Sequence, residues 1–229
     1  MMQQNHTIPR IKICGITRLE DARYCAALGA DYLGFIQYPE SPRYVAPEVA
    51  RSCIEWLYGP EYVGVFVEER PEVINRVAEQ VGFTYVQVHG RLRPEDCARI
   101  ERPVIRAFQV RHDASVEQME ALMEPYAEVV DYFLLDTYHT NLWGGTGESF
   151  NWRVARALAS RYPLFLAGGL RAENLEEAIQ TVRPFALDLS SSVEEAPGIK
   201  DFDKLSRLFE KYAQIIASLK SEEKHAGNI

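Results

Sequence analysis

The sequence predicts a single-domain α/β fold, a (β/α)8 TIM barrel of parallel strands. Short apolar runs rich in β-formers recur about every 20–30 residues, and a helical pattern separates each run from the next. Eight such runs alternate with eight helical segments, which predicts a parallel sheet and favours its closure into a barrel. A doubly wound open sheet is the alternative. A Gly-rich turn usually follows the first strand of that fold, whereas Gly15 stands alone after Cys14.

Each predicted strand is a run of β-branched and aromatic residues between turn-forming residues. In chain order the predicted strands are 11–14, 32–36, 62–67, 85–89, 104–108, 132–136, 164–167 and 186–190. The predicted helices are 19–28, 47–57, 71–81, 94–100, 115–126, 151–161, 172–182 and 202–219. Several helices open with a proline in the first turn, where its missing N–H matters least. Thr17 and Asp201 precede two others as candidate N-caps.

The barrel domain is predicted at 11–219, with flexible polar termini at 1–10 and 220–229. A length of 229 residues suits one α/β barrel, and 47% hydrophobic with 25% charged residues is typical of a globular protein. The chain contains neither an apolar run of roughly 18 residues nor the apolar core of a signal peptide. We therefore expect a cytoplasmic protein that does not associate with membranes.

Composition also limits the partners and cofactors. A formal net charge of -8 argues against nucleic acid or an anionic membrane as the main partner. The four cysteines show no CxxC spacing, so we expect reduced thiols. The five histidines form no HxxxH or HExxH motif, so no metal site is predicted. The sequence leaves the choice between a monomer and a homodimer open.

In a TIM barrel the chemistry is carried by the loops that follow the carboxyl ends of the strands. Glycines, hydroxyl residues and titratable residues follow the predicted strands at these points, whereas the opposite ends carry plain turns. The segments concerned are 14–15, 41–43, 89–90, 136–137, 168–169 and 190–192.

The loops after the seventh and eighth strands predict a phosphate site. These are the usual phosphate-binding loops of this fold, and here they carry Gly168, Gly169, Ser191 and Ser192. Glycine allows backbone N–H groups to approach a phosphate closely, and the amino end of a short helix favours an anion. The glycine-rich segment 144–147, with Gly145 and Gly147, could close over the same group. The alternative is that all these glycines only form tight turns.

Cys14 and Asp136 end the first and sixth strands, and both can point into the mouth of a closed barrel. A carboxylic acid and a thiolate that face one substrate form a plausible general acid–base pair. A cysteine that acts as a base near neutral pH would need a lowered pKa. The alternatives are a cysteine that packs in the core and an aspartate that caps a helix or forms a turn.

Lys12 lies two residues before Cys14, so the alternation of a strand places both side chains on one face. If Cys14 points inward, Lys12 does too, and a buried ammonium must be paired. Asp188 and Asp136 are the candidate partners. The charge of Lys12 would also favour the thiolate.

Arg43 and His89 are further candidates at the mouth of the barrel. The guanidinium of Arg43 could bind a carboxylate through two parallel hydrogen bonds, and the alternative is a surface salt bridge. His89 ends the fourth strand, where it could donate a hydrogen bond or simply pack.

Together these motifs resemble the phosphoribosylanthranilate isomerase family. In chain order they are KICGIT (12–17), the SPR-containing segment (34–45), VGVFV (63–67), QVHG (87–90), LLDT (134–137), GGTG (144–147), LAGGL (166–170), DLSSSVE (188–194) and PGIKD (197–201). They cover about 11–209, and KICGIT with PGIKD is specific in combination.

The resemblance implies an Amadori rearrangement of N-(5'-phosphoribosyl)anthranilate in tryptophan biosynthesis, without a metal or organic cofactor. It implies that Asp136 is the general acid at the ring oxygen and that Cys14 is the general base at C2'. Arg43 would hold the anthranilate carboxylate. The small-molecule phosphosugar would be bound by Arg43, His89, Gly145, Gly147, Gly168, Gly169, Asp188, Ser191 and Ser192.

Two departures from the family pattern concern the phosphate. Ser192 stands where the family usually has glycine, which would strain the backbone if that residue needs a positive φ. Glu148 adds a negative charge near the same loops. Two other functions are open: an isomerase of the histidine-pathway aminoimidazole ribotide, and a catalytically silent phosphosugar-binding barrel. Cys14 argues against the first, since an aspartate is expected there, and Cys14 together with Asp136 argues against the second.

Overall fold

The computed structural model describes residues 8–137 and 152–226, with side chains at 8–136 and 152–221. It confirms the predicted fold, because eight parallel strands close into one barrel. The barrel strands are β1 Arg10–Cys14, β2 Tyr32–Ile36, β3 Glu61–Val67, β4 Tyr85–His89, β5 Val104–Val110, β6 Tyr132–Thr137, β7 Leu164–Leu166 and β8 Ala186–Leu189.

The helices surround the barrel in the predicted alternation with the strands. They are α1 Leu19–Ala27, α2 Pro47–Ile54, α3 Pro71–Val81, α4 Pro94–Cys97, α5 Val116–Met123, α6 Trp152–Ala159, α7 Leu175–Val182 and α8 Phe202–Ala226. Within the described residues, no helix is both long enough and apolar enough to cross a membrane.

Helix ends differ most from the prediction. The α5 helix ends at Met123, and a 3-10 turn that contains Pro125 follows, because proline cannot supply the next helical N–H. The α8 helix runs through Ala226 instead of ending at 219. The cap predicted at Asp201 is present, since its Oδ1 accepts the N–H groups of Asp203 and Lys204, each at 3.0 Å.

A short antiparallel hairpin follows β8, and the sequence did not predict it. Its strands are β9 Glu194–Ala196 and β10 Ile199–Lys200, which are too short to show a strand periodicity. The hairpin also changes the role of Thr17, which was predicted as an N-cap. The Thr17 hydroxyl instead donates to the carbonyl of Gly198 at 2.5 Å, and α1 begins after Arg18 without a side-chain cap.

Aromatic side chains fill the barrel interior at the amino ends of the strands. Tyr32, Tyr85, Tyr132 and Phe165 contact one another in this cluster, with ring centroids 5.3 to 6.1 Å apart. Aromatic groups of this size bury a large apolar area and stabilise the barrel core. The polar interior residues therefore lie towards the carboxyl ends of the strands.

Gly64 in β3 provides a test of the packing between the barrel and its helical layer. A Cβ at this position would lie 2.4 Å from the ring of Phe83, closer than two carbon atoms can approach. We expect Gly64→Ala to lower the free energy of unfolding by about 1–3 kcal/mol, as overpacked cores do. Denaturant unfolding would measure the change, and an unaltered midpoint would contradict this packing.

Candidate active site

Cys14 ends β1 and faces the barrel interior. Only 7% of the residue is exposed, and it belongs to the interior apolar cluster with Tyr32 and Leu134. Its neighbour across the sheet is Gly34 in β2. A Cβ at Gly34 would lie 2.8 Å from the Cys14 Sγ and 3.2 Å from the Lys12 Nζ. The absence of a side chain at Gly34 therefore makes the room that the thiol occupies.

Lys12 is completely buried and paired with Asp188 of β8. Its Nζ donates to both carboxylate oxygens at 2.9 Å, and the register aligns the two residues on adjacent strands. Of the two partners considered, Asp188 is thus the one that the barrel supplies. Burial opposes the ammonium, but the Asp188 carboxylate and Cys14 outweigh it and raise the pKa of Lys12. A fixed positive charge lies beside the thiol.

Cys14 does not have the lowered pKa that a base near neutral pH would need. Burial is the largest influence and raises the pKa of the thiol, the Asp188 carboxylate adds to the rise, and Lys12 and Lys200 oppose it. The charge of Lys12 favours the thiolate, as expected, but it does not outweigh the desolvation that closure of the barrel imposes. In the substrate-free protein the thiol is therefore protonated at neutral pH.

Asp136 lies in β6 and also faces inward. Tyr132 and Leu134, four and two residues earlier, contact the interior cluster, so strand alternation turns Asp136 to the same side. Asp136 is partly exposed, as a group at the open end of a barrel should be. It shares this interior with Cys14, five strands away along one side of the barrel and three along the other.

His89 ends β4 and contacts Gln87 on the same face of the strand. The amide Nε2 of Gln87 and the ring Nε2 of His89 are 2.7 Å apart. Burial, together with the charges of Lys12 and Arg106, lowers the pKa of His89 to about 4. The imidazole is therefore neutral near pH 7, which suits a hydrogen-bonding role and excludes the role of a cation.

Arg43 follows β2 and lies close to the end of β1. A Cβ at Gly15, which has a φ of +80°, would lie 2.8 Å from the Arg43 Cδ. The guanidinium binds Glu194: Nε donates to both carboxylate oxygens at 3.0 Å, and Nη2 donates to Oε2 at 2.7 Å. Arg43 thus forms a salt bridge, which was the alternative considered for it, although its partner Glu194 is buried and was not predicted.

The predicted phosphate loops lie where the fold was expected to place them. Gly168 and Gly169 follow β7 in left-handed conformations, with φ of +83° and +67°. A one-turn 3-10 helix, Ser191–Val193, follows β8 and carries the two predicted serines.

Ser192 does not carry the backbone strain that its replacement of glycine suggested. Among the described residues, only Glu68 and Arg183 combine a positive φ with a side chain. The Ser192 Oγ is buried and makes no hydrogen bond with the described part of the protein. Gly145, Gly147 and Glu148, which were also predicted near the phosphate, lie outside the described residues.

Glu194 and Lys200 are the site residues that the sequence analysis missed. The Lys200 Nζ donates to the backbone carbonyl of Cys14 at 2.6 Å and to Glu194 Oε1 at 2.9 Å, and both side chains are buried. Lys200 belongs to the PGIKD motif, which was the one available signal. Nothing local in that motif indicates that the lysine reaches a residue 186 positions earlier.

Comparison with known proteins gives one consistent family. The family model for N-(5'phosphoribosyl)anthranilate (PRA) isomerase matches residues 11–211. The chain is 45% identical to an N-(5'-phosphoribosyl)anthranilate isomerase from Trichlorobacter lovleyi over 201 residues, which is 86% of this chain and 94% of that protein.

Solved structures agree with the sequence match. A crystal structure of phosphoribosyl anthranilate isomerase from Thermotoga maritima is 42% identical, with a TM-score of 0.81, and the match covers 90% of this chain and 99% of that one. Another structure of such an isomerase, in complex with reduced 1-(o-carboxyphenylamino)-1-deoxyribulose 5-phosphate, is 40% identical. Its TM-score is 0.78, with the same coverage of both chains.

Proposed function

This chain belongs to the N-(5'-phosphoribosyl)anthranilate isomerase family, and we propose that it catalyses this isomerisation in tryptophan biosynthesis with Cys14 and Asp136 as base and acid. The observation that carries the proposal is the inward-facing thiol of Cys14 beside the buried ammonium of Lys12, in the same interior that Asp136 faces. The family relation supplies the reaction, and this geometry supports the assignment of Cys14 and Asp136.

The reaction begins with the proton of Asp136. Asp136 protonates the furanose ring oxygen, the bond between that oxygen and C1' breaks, and the nitrogen lone pair forms an iminium. Cys14 then removes the C2' proton, and the electrons of that C–H bond neutralise the iminium to give an enolamine. Tautomerisation yields the ketone, 1-(2-carboxyphenylamino)-1-deoxyribulose 5-phosphate. Each proton transfer of this kind accelerates a reaction by about 10²–10⁴-fold.

Turnover with the purified protein tests the proposed activity. The fluorescence of N-(5'-phosphoribosyl)anthranilate should decay as the protein consumes it, while the aminoimidazole ribotide of histidine synthesis is turned over far more slowly. A preference for the second substrate would replace this proposal with the related isomerase. Binding of either compound without turnover would point to a silent phosphosugar-binding barrel.

The pH dependence of kcat/KM should follow the thiol of Cys14, because this parameter reports the groups of the free enzyme. The mechanism needs Cys14 without its proton and Asp136 with its proton, and a carboxyl group ordinarily loses its proton at much lower pH than a thiol does. Burial raises the pKa of Cys14. We therefore expect kcat/KM to be nearly level around neutral pH and to inflect only at alkaline pH, where Cys14 titrates. A profile that inflects near neutral pH, or that has no inflection on the alkaline side, would contradict the role of this thiol.

Arg43 is proposed to bind the anthranilate carboxylate from its position beside Gly15. Arg43→Ala should raise KM by about ten- to a hundredfold with little change in kcat, since hydrogen bonds to charged groups contribute about 1.5–3 kcal/mol. Arg51→Ala is the matched control, because Arg51 is an exposed arginine of α2 that pairs with Glu55. A fall in kcat alone would argue against the carboxylate-binding role.

The proposed phosphate ligands are the backbone around Gly168 and Gly169 and the 3-10 helix that contains Ser191 and Ser192. His89 and Asp188 complete the proposed substrate site, His89 as a neutral hydrogen-bonding group and Asp188 as the partner that keeps Lys12 charged. We also propose a cytoplasmic location and a monomer or homodimer. Light scattering of the purified protein would decide between the two oligomeric states.

A further inference from the structure

The β9–β10 hairpin lies against the loop that follows β1 and against α1. The Gly198 carbonyl accepts the Thr17 hydroxyl at 2.5 Å, and the Gly198 N–H donates to Glu194 Oε1 at 3.3 Å within the hairpin. The backbone N–H of Lys200 donates to Asp21 Oδ2 at 3.1 Å. These bonds hold the turn of the hairpin against the loop after β1 and hold β10 against α1.

Lys200 reaches from this hairpin to the main chain of Cys14. Lys200 is only 3% exposed, and its Nζ donates to the Cys14 carbonyl at 2.6 Å. The same carbonyl accepts the Ser190 hydroxyl at 3.2 Å. Two donors from the β8 side of the barrel therefore hold the peptide that carries the thiol.

Glu194 joins Lys200 to Arg43. One carboxylate accepts hydrogen bonds from the Lys200 Nζ at 2.9 Å and from the Arg43 guanidinium at 2.7 to 3.0 Å. Burial works against the anion, but the hydrogen bonds from Arg43 and Lys200 outweigh it and lower the pKa of Glu194. Glu194 is therefore ionised at neutral pH and holds both cations.

We propose that Lys200 and Glu194 are positioning residues of the isomerase: Lys200 holds the peptide of Cys14, and Glu194 links it to Arg43, which fixes the distance between the base and the carboxylate-binding group. This inference rests on the proposed function, which assigns those roles to Cys14 and Arg43. In this proposal both residues act through Cys14 and Arg43 and not on the reacting atoms of the substrate. The hydrogen bonds that link Cys14, Lys200, Glu194 and Arg43 hold the two functional groups at a fixed separation.

The positive charge of Lys200 has a second consequence. It opposes the rise in the pKa of Cys14 that burial causes, as Lys12 does from within the barrel. Removal of the Lys200 charge should therefore leave a smaller fraction of thiolate at any given pH. A residue that only stabilises the hairpin would not produce this effect.

The test compares four variants with the wild type in the full-length enzyme. Lys200→Met should move the alkaline inflection of kcat/KM to higher pH by about one unit, a typical effect of a nearby charge, and so lower kcat/KM at neutral pH about tenfold. Lys200→Arg keeps the charge and should restore the position of the inflection. Lys211→Met removes a lysine of α8 that pairs with Glu176 and should change nothing.

Glu194→Gln supplies an independent readout and retains the size of the side chain. It should raise KM about tenfold through Arg43, without moving the alkaline inflection of kcat/KM to higher pH. If Lys200→Met does not fold, Lys200→Gln takes its place, and the Glu194 variant tests the link to Arg43 in either case. Identical effects of the Lys200 and Glu194 variants on both parameters would indicate simple loosening of the hairpin and would overturn the proposal.

The wild-type measurement separates this inference from the proposed function. A wild type that does not turn over N-(5'-phosphoribosyl)anthranilate overturns the proposed function and the positioning roles with it. If the wild type is active, an unchanged alkaline inflection in Lys200→Met together with an unchanged KM in Glu194→Gln overturns the positioning roles alone.

Discussion

Replacement of Cys14 by serine should lower kcat by about 10²–10⁴-fold, while the substrate still binds with a KM close to that of the wild type. Serine fills the same space beside Gly34, but its hydroxyl is far too weak an acid to provide a base near neutral pH. Consumption of N-(5'-phosphoribosyl)anthranilate, followed by fluorescence, gives both parameters.

Cys53→Ala is the matched control for that variant. Cys53 is a buried cysteine of α2, outside the barrel interior, and its replacement should leave kcat unchanged. A Cys14→Ser enzyme with nearly normal kcat would remove the thiol from the mechanism, whatever its position in the barrel.

Asp136→Asn should also lower kcat by about 10²–10⁴-fold, because an amide has the shape of the carboxylic acid but no acidic proton to give to the ring oxygen. The loss should fall on kcat more than on KM, since ring opening needs the proton in the transition state. Asp113→Asn, at an exposed aspartate paired with Arg111, is the control and should behave as the wild type. Near-normal kcat in Asp136→Asn would require another acid.

The barrel itself could be predicted from the sequence because its strands are buried apolar runs of ordinary length, such as 62–67 and 132–136. The sequence also correctly predicted that Lys12 points inward. The side chains of a strand alternate between its two faces, so Lys12 lies on the same face as Cys14, two residues later. Helix ends were less predictable. The α5 helix ends early because of Pro125, although the residues around this proline follow a helical pattern.

The partners of the buried charges could be predicted only in part, because they depend on pairing between distant segments. Asp188 was one of two candidates for Lys12, and the register of β1 and β8, across 176 residues, selects it. Glu194 was not predicted as the partner of Arg43, since it reaches Arg43 through a hairpin too short to leave a sequence pattern. The rise in the pKa of Cys14 could not be predicted for a related reason, since burial is a property of the closed barrel and not of the segment around the thiol.

The central claim is that the rate follows the protonation of the group at position 14, and Cys14→Asp tests it most directly. An aspartate keeps a base at this position, but its ordinary pKa is about 3.9, compared with about 8.5 for cysteine. If Cys14 is the base, the alkaline inflection of kcat/KM should move to acidic pH, with measurable activity retained. An inflection that stays in place while the rate falls would contradict the claim, because the titrating group would then lie elsewhere.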